Sequence, residues 1–358
     1  MSIPRLASLT RHLAPRRLLA TMSTIDIPKT QKAIQVDKVG GPEVNVLREI
    51  PVPTPKDDEV LIKVQWSGVN YIDNYFRSGV YPKQFPYTAG QDAVGTLLTT
   101  PSKPSAPFDI PVRSTVFTLS GAAWAEYIVA PAARVGLLPD FIDKKDGVSL
   151  ATIGLTALTL TKDSYPVQKG DWVLIRAAAG GVGLVLTQVV KYLGGHVIGE
   201  VSTPEKAELV KKHGADVVLL STDKSEDNVK KILELTDGGV HAVYDGVGQA
   251  TWEQDFEVVR RKGTIVTFGN ASGVVPPFAP TKLSPKALKV TRPTVFAIIQ
   301  TAEEFKNYTA ELVEIVQKAH IKFEVYKEYP FSAEGVIQAE KDIQGRGTTG
   351  KLLIKISD

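Results

Sequence analysis

The chain of 358 residues contains no cysteine. That excludes disulfides, a thiol nucleophile, and any zinc or iron–sulfur site built on cysteine ligands. Histidine is scarce, with five in the chain and no pair at a metal-ligand spacing. No apolar run approaches the ~18 residues that would cross a bilayer. Acidic residues are missing from the first 25 positions, while Arg5, Arg11, Arg16 and Arg17 fall there among serines, threonines and leucines. This is the make-up of a mitochondrial transit segment, and a secretory signal would need a longer apolar centre. Methionine occurs only at positions 1 and 22, so a start at Met22 would give a cytoplasmic form without that segment. Removing residues 1–21 takes away four arginines and no acid, which moves the formal charge from +3 to −1. The remaining body is not basic, which argues against a nucleic-acid partner.

What is present is organised around Asp171–Gly183. An apolar run, Trp172-Val173-Leu174-Ile175, leads into Arg176-Ala177-Ala178-Ala179-Gly180-Gly181-Val182-Gly183. An apolar helical stretch and a second strand-like run, His196–Gly199, follow. Strand, glycine turn, helix and strand make a βαβ unit. Glycines at such a turn let the backbone approach a pyrophosphate, which the free N–H groups of a helix N-terminus attract. The pattern is Ala178-x-Gly180-x-x-Gly183, with alanine in place of the usual first glycine; an ordinary tight turn with close helix packing is the plainer alternative.

Before this unit, residues 31–65 alternate as strands, with Pro51, Pro53 and Pro55 forcing an extended connection. Residues 67–79 form a short helix or loop, and strands are expected near 92–97, 114–117 and 125–129. The first ~150 residues are thus β-rich, an irregular barrel or folded sheet. A helix is expected over Leu150–Leu160. Beyond it, strands and helices alternate, including a helix over Thr251–Arg260, as in a doubly wound parallel sheet. A helix over Ala302–Ala319 and a final strand over Lys351–Ile356 complete the chain. The boundaries are 1–25 for the targeting segment, 26–150 with 295–358 for the β-rich unit, and 151–294 for the dinucleotide-binding unit.

Ala177–Gly183, Val69-Asn70-Tyr71-Ile72-Asp73 with Tyr75 and Arg77-Ser78-Gly79, and Val266–Asn270 with Thr291-Arg292-Pro293 together resemble quinone oxidoreductase. This is the zeta-crystallin branch of the medium-chain dehydrogenase/reductase superfamily. The resemblance spans residues ~30 to 356. It implies a GroES-like catalytic domain split around a Rossmann domain, a homodimer, and reduction of quinones by NADPH. Asn70, Tyr75 and Tyr81 resemble positions lining the nicotinamide and substrate cleft, and Arg292 a residue at that cleft. Thr156, Gly181 and Val182 resemble dinucleotide contacts. Ser202, Thr203 and Lys206 resemble the site of the adenosine 2′-phosphate, and Phe268, Gly269 and Arg346 further cofactor contacts. Ser221, Gly246 and Ser114-Thr115-Val116 depart from the family pattern.

Gly90-Gln91-Asp92 lies where zinc alcohol dehydrogenases of the superfamily carry Gly-His-Glu, so no catalytic zinc is expected. An acceptor reduced without a metal must delocalise the incoming charge, as quinones and conjugated carbonyls do. Hydroxyl and amide donors can then stabilise the developing oxyanion. Tyr75 is the expected donor, with Asn70 positioning; a packed aromatic with a satisfied hydroxyl is the alternative. For the cofactor, Glu200 could bind a ribose 2′-hydroxyl and favour NADH. Ser202, Thr203 and Lys206 instead suit a phosphate and favour NADPH, although Ser202-Thr203-Pro204-Glu205 also reads as a helix start. Two other activities remain as alternatives: reduction of an enal or enone double bond, and RNA binding through the cofactor cleft.

Overall fold

The computed structural model describes residues 26–358. The proposed targeting segment lies outside the described residues. The N-terminal part holds strands β1 (Thr30–Val36), β2 (Asn45–Pro51), β3 (Glu59–Val69), β4 (Tyr87–Thr88), β5 (Asp92–Leu97), β6 (Thr115–Leu119), β7 (Tyr127–Pro131) and β8 (Val135–Leu137). Helix α1 (Tyr71–Arg77) follows β3 directly. Its capping box pairs Asn70 with Asp73, which ends the strand and turns the chain at the edge of the cleft.

The next part alternates. Helices α2 (Lys144–Ser149) and α3 (Leu155–Thr159) lead to β9 (Trp172–Ile175), α4 (Gly181–Tyr192), β10 (His196–Val201), α5 (Pro204–Lys212) and β11 (Val217–Leu220). Helix α6 (Ser225–Leu235), β12 (Val240–Asp245), α7 (Trp252–Val258), β13 (Val259–Thr267) and β14 (Lys289–Thr291) follow. The chain closes with α8 (Val295–Ile298), α9 (Ala302–Ala319), β15 (Val325–Pro330), α10 (Ala333–Gln344) and β16 (Lys351–Lys355).

Among the described residues three sheets result. A small one has the order β2-β1-β4, and a seven-stranded one runs β15-β16-β3-β5-β6-β8 with β7 also on β3. The third is a six-stranded parallel sheet, β11-β10-β9-β12-β13-β14. Its order reverses between β9 and β12, the switch point at which doubly wound sheets bind ligands. The last strand, β16, returns to pair antiparallel with β3.

The strands of the parallel sheet are apolar on both faces because helices cover both. Leu184, Val185, Leu186, Val189 and Val190 of α4 pack with Val173 and Ile175 and with Phe305, Leu312 and Val316 of α9. On the other face Leu174, Ile198 and Val243 pack with Trp252 and Ile232. The seven-stranded sheet closes over its own core of Val60, Ile62, Val64, Val116, Trp124 and Ile128.

Several expectations from sequence need correction. The helix expected at 251–260 ends at Val258, and Val259 and Arg260 already belong to β13. The basic Arg260-Arg261-Lys262 therefore stands in a strand. The helix expected over 150–160 is longer and mixed: π-helical turns at Leu150–Gly154 and Leu160–Ser164 flank α3. The connection expected over Pro51, Pro53 and Pro55 stands, and the Asn45–Pro51 stretch leading into it pairs with β1 as an edge strand, β2.

Gly183 shows why the third glycine of the turn is required. A Cβ there would lie 2.7 Å from Ala178 Cα and 2.6 Å from Ala178 O, both backbone atoms. Replacing Gly183 with alanine should lower the unfolding free energy by about 1–3 kcal/mol, the usual penalty for overpacking. Urea denaturation measures this, and an unchanged midpoint would show that α4 can shift away at no cost.

Candidate active site

One cleft of about 710 Å³ runs along the carboxyl ends of the parallel strands and under α1. Its middle is the glycine turn. Ala177 takes the left-handed conformation at φ 50°, so this position makes the tight bend and no glycine is needed at Ala178. Gly180 is the N-cap of α4, and no side chain caps that end. The N–H groups of the first turn are thus left to the cleft, where they and the helix dipole favour an anion. A Cβ on Gly180 would meet only Ala177 O, at 3.3 Å, so the backbone is open to close approach. The turn therefore fits a pyrophosphate.

The cleft brings together nearly all the residues singled out from sequence. Asn70, Tyr75, Tyr81, Thr156, Gly180, Gly181, Val182, Gly183, Ser202, Lys206, Phe268, Gly269, Arg292 and Arg346 line it. Thr203 does not: its hydroxyl accepts the Lys206 N–H at 3.3 Å as the cap of α5. Lys206 Nζ reaches Ser202 Oγ at 3.4 Å and Arg346 O at 2.5 Å, and partial burial lowers its pKa. Ser221 also lines this end. Gly246 sits against Phe268, whose ring a Cβ there would approach to 3.1 Å.

Glu200, the alternative ligand for the ribose, is already engaged. Its carboxylate accepts from Arg176 Nη1 at 2.5 Å.

At the other end, Tyr75 is buried against Tyr71 and Tyr81, with ring centroids 5.5 and 5.1 Å away. Its oxygen accepts the Asn270 N–H at 2.6 Å, which leaves its own proton free to donate. Burial pushes its pKa up, so the hydroxyl stays protonated at neutral pH. Arg292 donates to Thr267 Oγ1 at 2.9 Å, to Gly269 O at 3.0 Å and to Tyr81 Oη at 3.1 Å. It thereby holds Tyr81 and the turn after β13.

Sequence reasoning missed Lys351 and the role of Asp92. Lys351 Nζ donates to Asn70 Oδ1 at 2.6 Å and to Asp92 Oδ2 at 2.8 Å. Asn70 Nδ2 donates to Asp92 Oδ1 at 3.1 Å, so the amide is fixed from both sides with one N–H left over. The only local hint is a lysine opening an apolar strand. Among the described residues no group of three or more His, Asp or Glu side chains is arranged to hold a metal ion.

Comparison with known proteins identifies the family. Residues 181–314 match the family model described as zinc-binding dehydrogenase. Residues 56–140 match the alcohol dehydrogenase GroES-like domain. A probable quinone oxidoreductase of Schizosaccharomyces pombe is 35% identical over 324 residues, covering 90% of this chain and 96% of that protein. A mycobacterial structure complexed with NADPH superposes with a TM-score of 0.87 at 39% identity, covering 91% of this chain and 99% of the other. The structure of a 2-haloacrylate reductase is 30% identical with a TM-score of 0.77, covering 90% and 99%. The fold and the domain matches define a medium-chain dehydrogenase/reductase, with a GroES-like domain joined to a six-stranded nucleotide-binding domain. Within it, the chain belongs to the quinone oxidoreductase family.

Asp73, beneath Asn70, generates a pH prediction. Its Oδ2 accepts the Asn70 N–H at 2.8 Å, while Oδ1 has no partner among the described residues. Burial first, then the nearby Asp92 and Glu340, raise its pKa to about 8. The folded state thus keeps a proton that the unfolded chain releases near 3.8. The stability this group contributes is full at acid pH and is lost as pH rises toward 8, by at most ~1.4 kcal/mol per pH unit. Asp73→Asn should remove that decline, so the variant gains on the parent as pH rises from 5 to 8. Parallel stability curves across that range would refute the assignment.

Proposed function

We propose that the chain is an NADPH-dependent quinone oxidoreductase working without a metal. The observation that carries this reading is the continuity of the cleft, from Ser202 and Lys206 past the uncapped end of α4 to the hydroxyl of Tyr75. Ser202 and Lys206 offer a hydroxyl and a positive charge to a 2′-phosphate. The first turn of α4 offers N–H groups to a pyrophosphate. Bound NADPH supplies the reducing equivalents as hydride chemistry. Asn70, held by Lys351 and Asp92, lines the cleft with one amide N–H uncommitted. Tyr75 presents a protonated hydroxyl to the oxygen on which negative charge develops. The Asn270 N–H it accepts polarises that hydroxyl and makes it a better donor. The family's matched members support the same reading by name.

A second reading stays within the same site. The similarity to a 2-haloacrylate reductase favours a conjugated carbon–carbon double bond as acceptor. The donors required are alike, because charge again accumulates on a conjugated oxygen.

Purified protein given NADPH and 1,2-naphthoquinone should consume NADPH rapidly, and faster than NADH. Tyr75→Phe should lower kcat on the order of 10²-fold, as expected for loss of one oxyanion donor, with NADPH affinity retained. Turnover of enals but not quinones would favour the second reading. Tight NADPH binding with neither turnover would end the enzymatic one. The family reading also implies a homodimer, for which β14 is an open edge of the parallel sheet. Sedimentation velocity should then show a species of twice the chain mass, and a monomer throughout would count against it.

A further inference from the structure

The adenosine end of the cleft contains an ion network that phosphate binding does not by itself require. Arg176 follows β9, and its side chain is fully buried. Nη1 donates to Glu200 Oε2 at 2.5 Å, and Nε donates to Asp255 Oδ1 at 3.0 Å. Nη2 lies 3.0 Å from the same Asp255 oxygen without a well-directed hydrogen bond. Both Arg176 and Glu200 line the cleft, alongside Ser202 and Lys206.

Glu200 stands near the end of β10, where an acid can bind the ribose 2′-hydroxyl and would repel a phosphate in its place. The other charges facing Arg176 are Asp255 and Asp245. Asp245 is served by the Val247 and Gly248 N–H groups and the Thr251 hydroxyl. Burial pushes the Asp255 carboxyl well above the usual range, and Asp245 adds to this against the pull of Arg176. Arg176 therefore lies between the Asp255 and Glu200 carboxyl groups, with its Nη1 given to Glu200.

We propose that Arg176 determines cofactor choice: by holding the Glu200 carboxylate it silences an acid that would oppose a 2′-phosphate, so that Ser202 and Lys206 decide. This rests on the NADPH reading above. It goes beyond that reading by assigning specificity to a residue buried under the phosphate site. Arg176 is a positioning residue in this account, acting through Glu200.

The test measures NADPH and NADH affinities of the full chain by tryptophan fluorescence, with quinone turnover alongside. Glu200→Gln removes an acid that is already held and should leave the NADPH-to-NADH affinity ratio close to the parent's. Arg176→Gln combined with Asp255→Asn exposes Glu200 and should lower that ratio about tenfold, a modest share of the repulsion available between close charges. Arg176→Lys should recover much of the preference. A merely structural Arg176 would weaken both cofactors alike, and an unchanged ratio in the double variant, or a several-fold rise in Glu200→Gln, overturns the proposal. Should the double variant fail to fold, Glu200→Gln decides alone. Parent protein that prefers NADH overturns both this inference and the cofactor reading. Parent protein that prefers NADPH but does not reduce quinones removes the substrate reading only, and the ratios still decide the inference.

Discussion

The ammonium of Lys351, set between Asn70 and Asp92, is the contact on which the site depends. Its side chain and that of Asp92 are 2% and 0% exposed. Two charges removed from water cost several kcal/mol each, and their attraction offsets this only with good geometry and further hydrogen bonds. Both are present. Asp92 Oδ1 also accepts the Gly68 N–H at 3.1 Å, and Ser67 Oγ donates to Asp92 O at 2.7 Å. Such a pair is a weak net stabiliser but a strong constraint on geometry, since either charge alone would be buried without a partner. The backbone beside it serves the other half of the cleft: Gly350 N donates to Ala179 O at 2.9 Å. Adjacent residues at the start of β16 therefore fix Asn70 on one side and the glycine turn on the other.

Two glycines make this junction possible. A Cβ on Gly68 would stand 2.3 Å from Lys351 Cε, inside the space the lysine stem occupies. One on Gly350 would stand 2.1 Å from Glu324 O, and its φ of 53° is left-handed. Neither glycine belongs to the turn that identifies the dinucleotide site. They are spacing elements for a charge that must reach from β16 across β3 to β5 within one sheet, and substituting either would move Lys351.

How much of this was legible follows from range. The glycine turn, the alternation of strand and helix, the return of the last strand and most of the cleft residues came from local pattern or from family resemblance. Tyr75 and Asn70 were legible through the family resemblance carried by Val69-Asn70-Tyr71-Ile72-Asp73 with Tyr75. Lys351 was not, because it lies 281 positions from Asn70 and local pattern carries no information across that distance. Arg176 stood within the stretch first singled out, yet its partners Glu200 and Asp255 come from different elements. Glu200 consequently looked like a free acid. Thr203 suited a phosphate by type, but its hydroxyl is committed to the helix it caps. The helix through Val259 was overextended because tertiary pairing with β12 outweighs local preference there.

The same constraints bear on which acceptors the cleft suits. At the Tyr75 end the cationic groups are already committed. Lys351 is matched by Asp92, and Arg292 spends donors on Thr267, Gly269 and Tyr81. The direct donors left for an incoming oxygen are the Tyr75 hydroxyl and an Asn70 amide N–H, while Arg292, whose acceptors are neutral, keeps its charge. Neutral donors stabilise charge less than a metal ion or a free ammonium does. An isolated ketone would concentrate the full developing charge on one oxygen and would be served poorly. A quinone spreads that charge over a ring and two oxygens, so a weaker set of donors suffices. The commitment of Lys351 to Asp92, and of the Arg292 donors to Thr267, Gly269 and Tyr81, is therefore consistent with the acceptor class proposed, and it is read from these contacts rather than from the family.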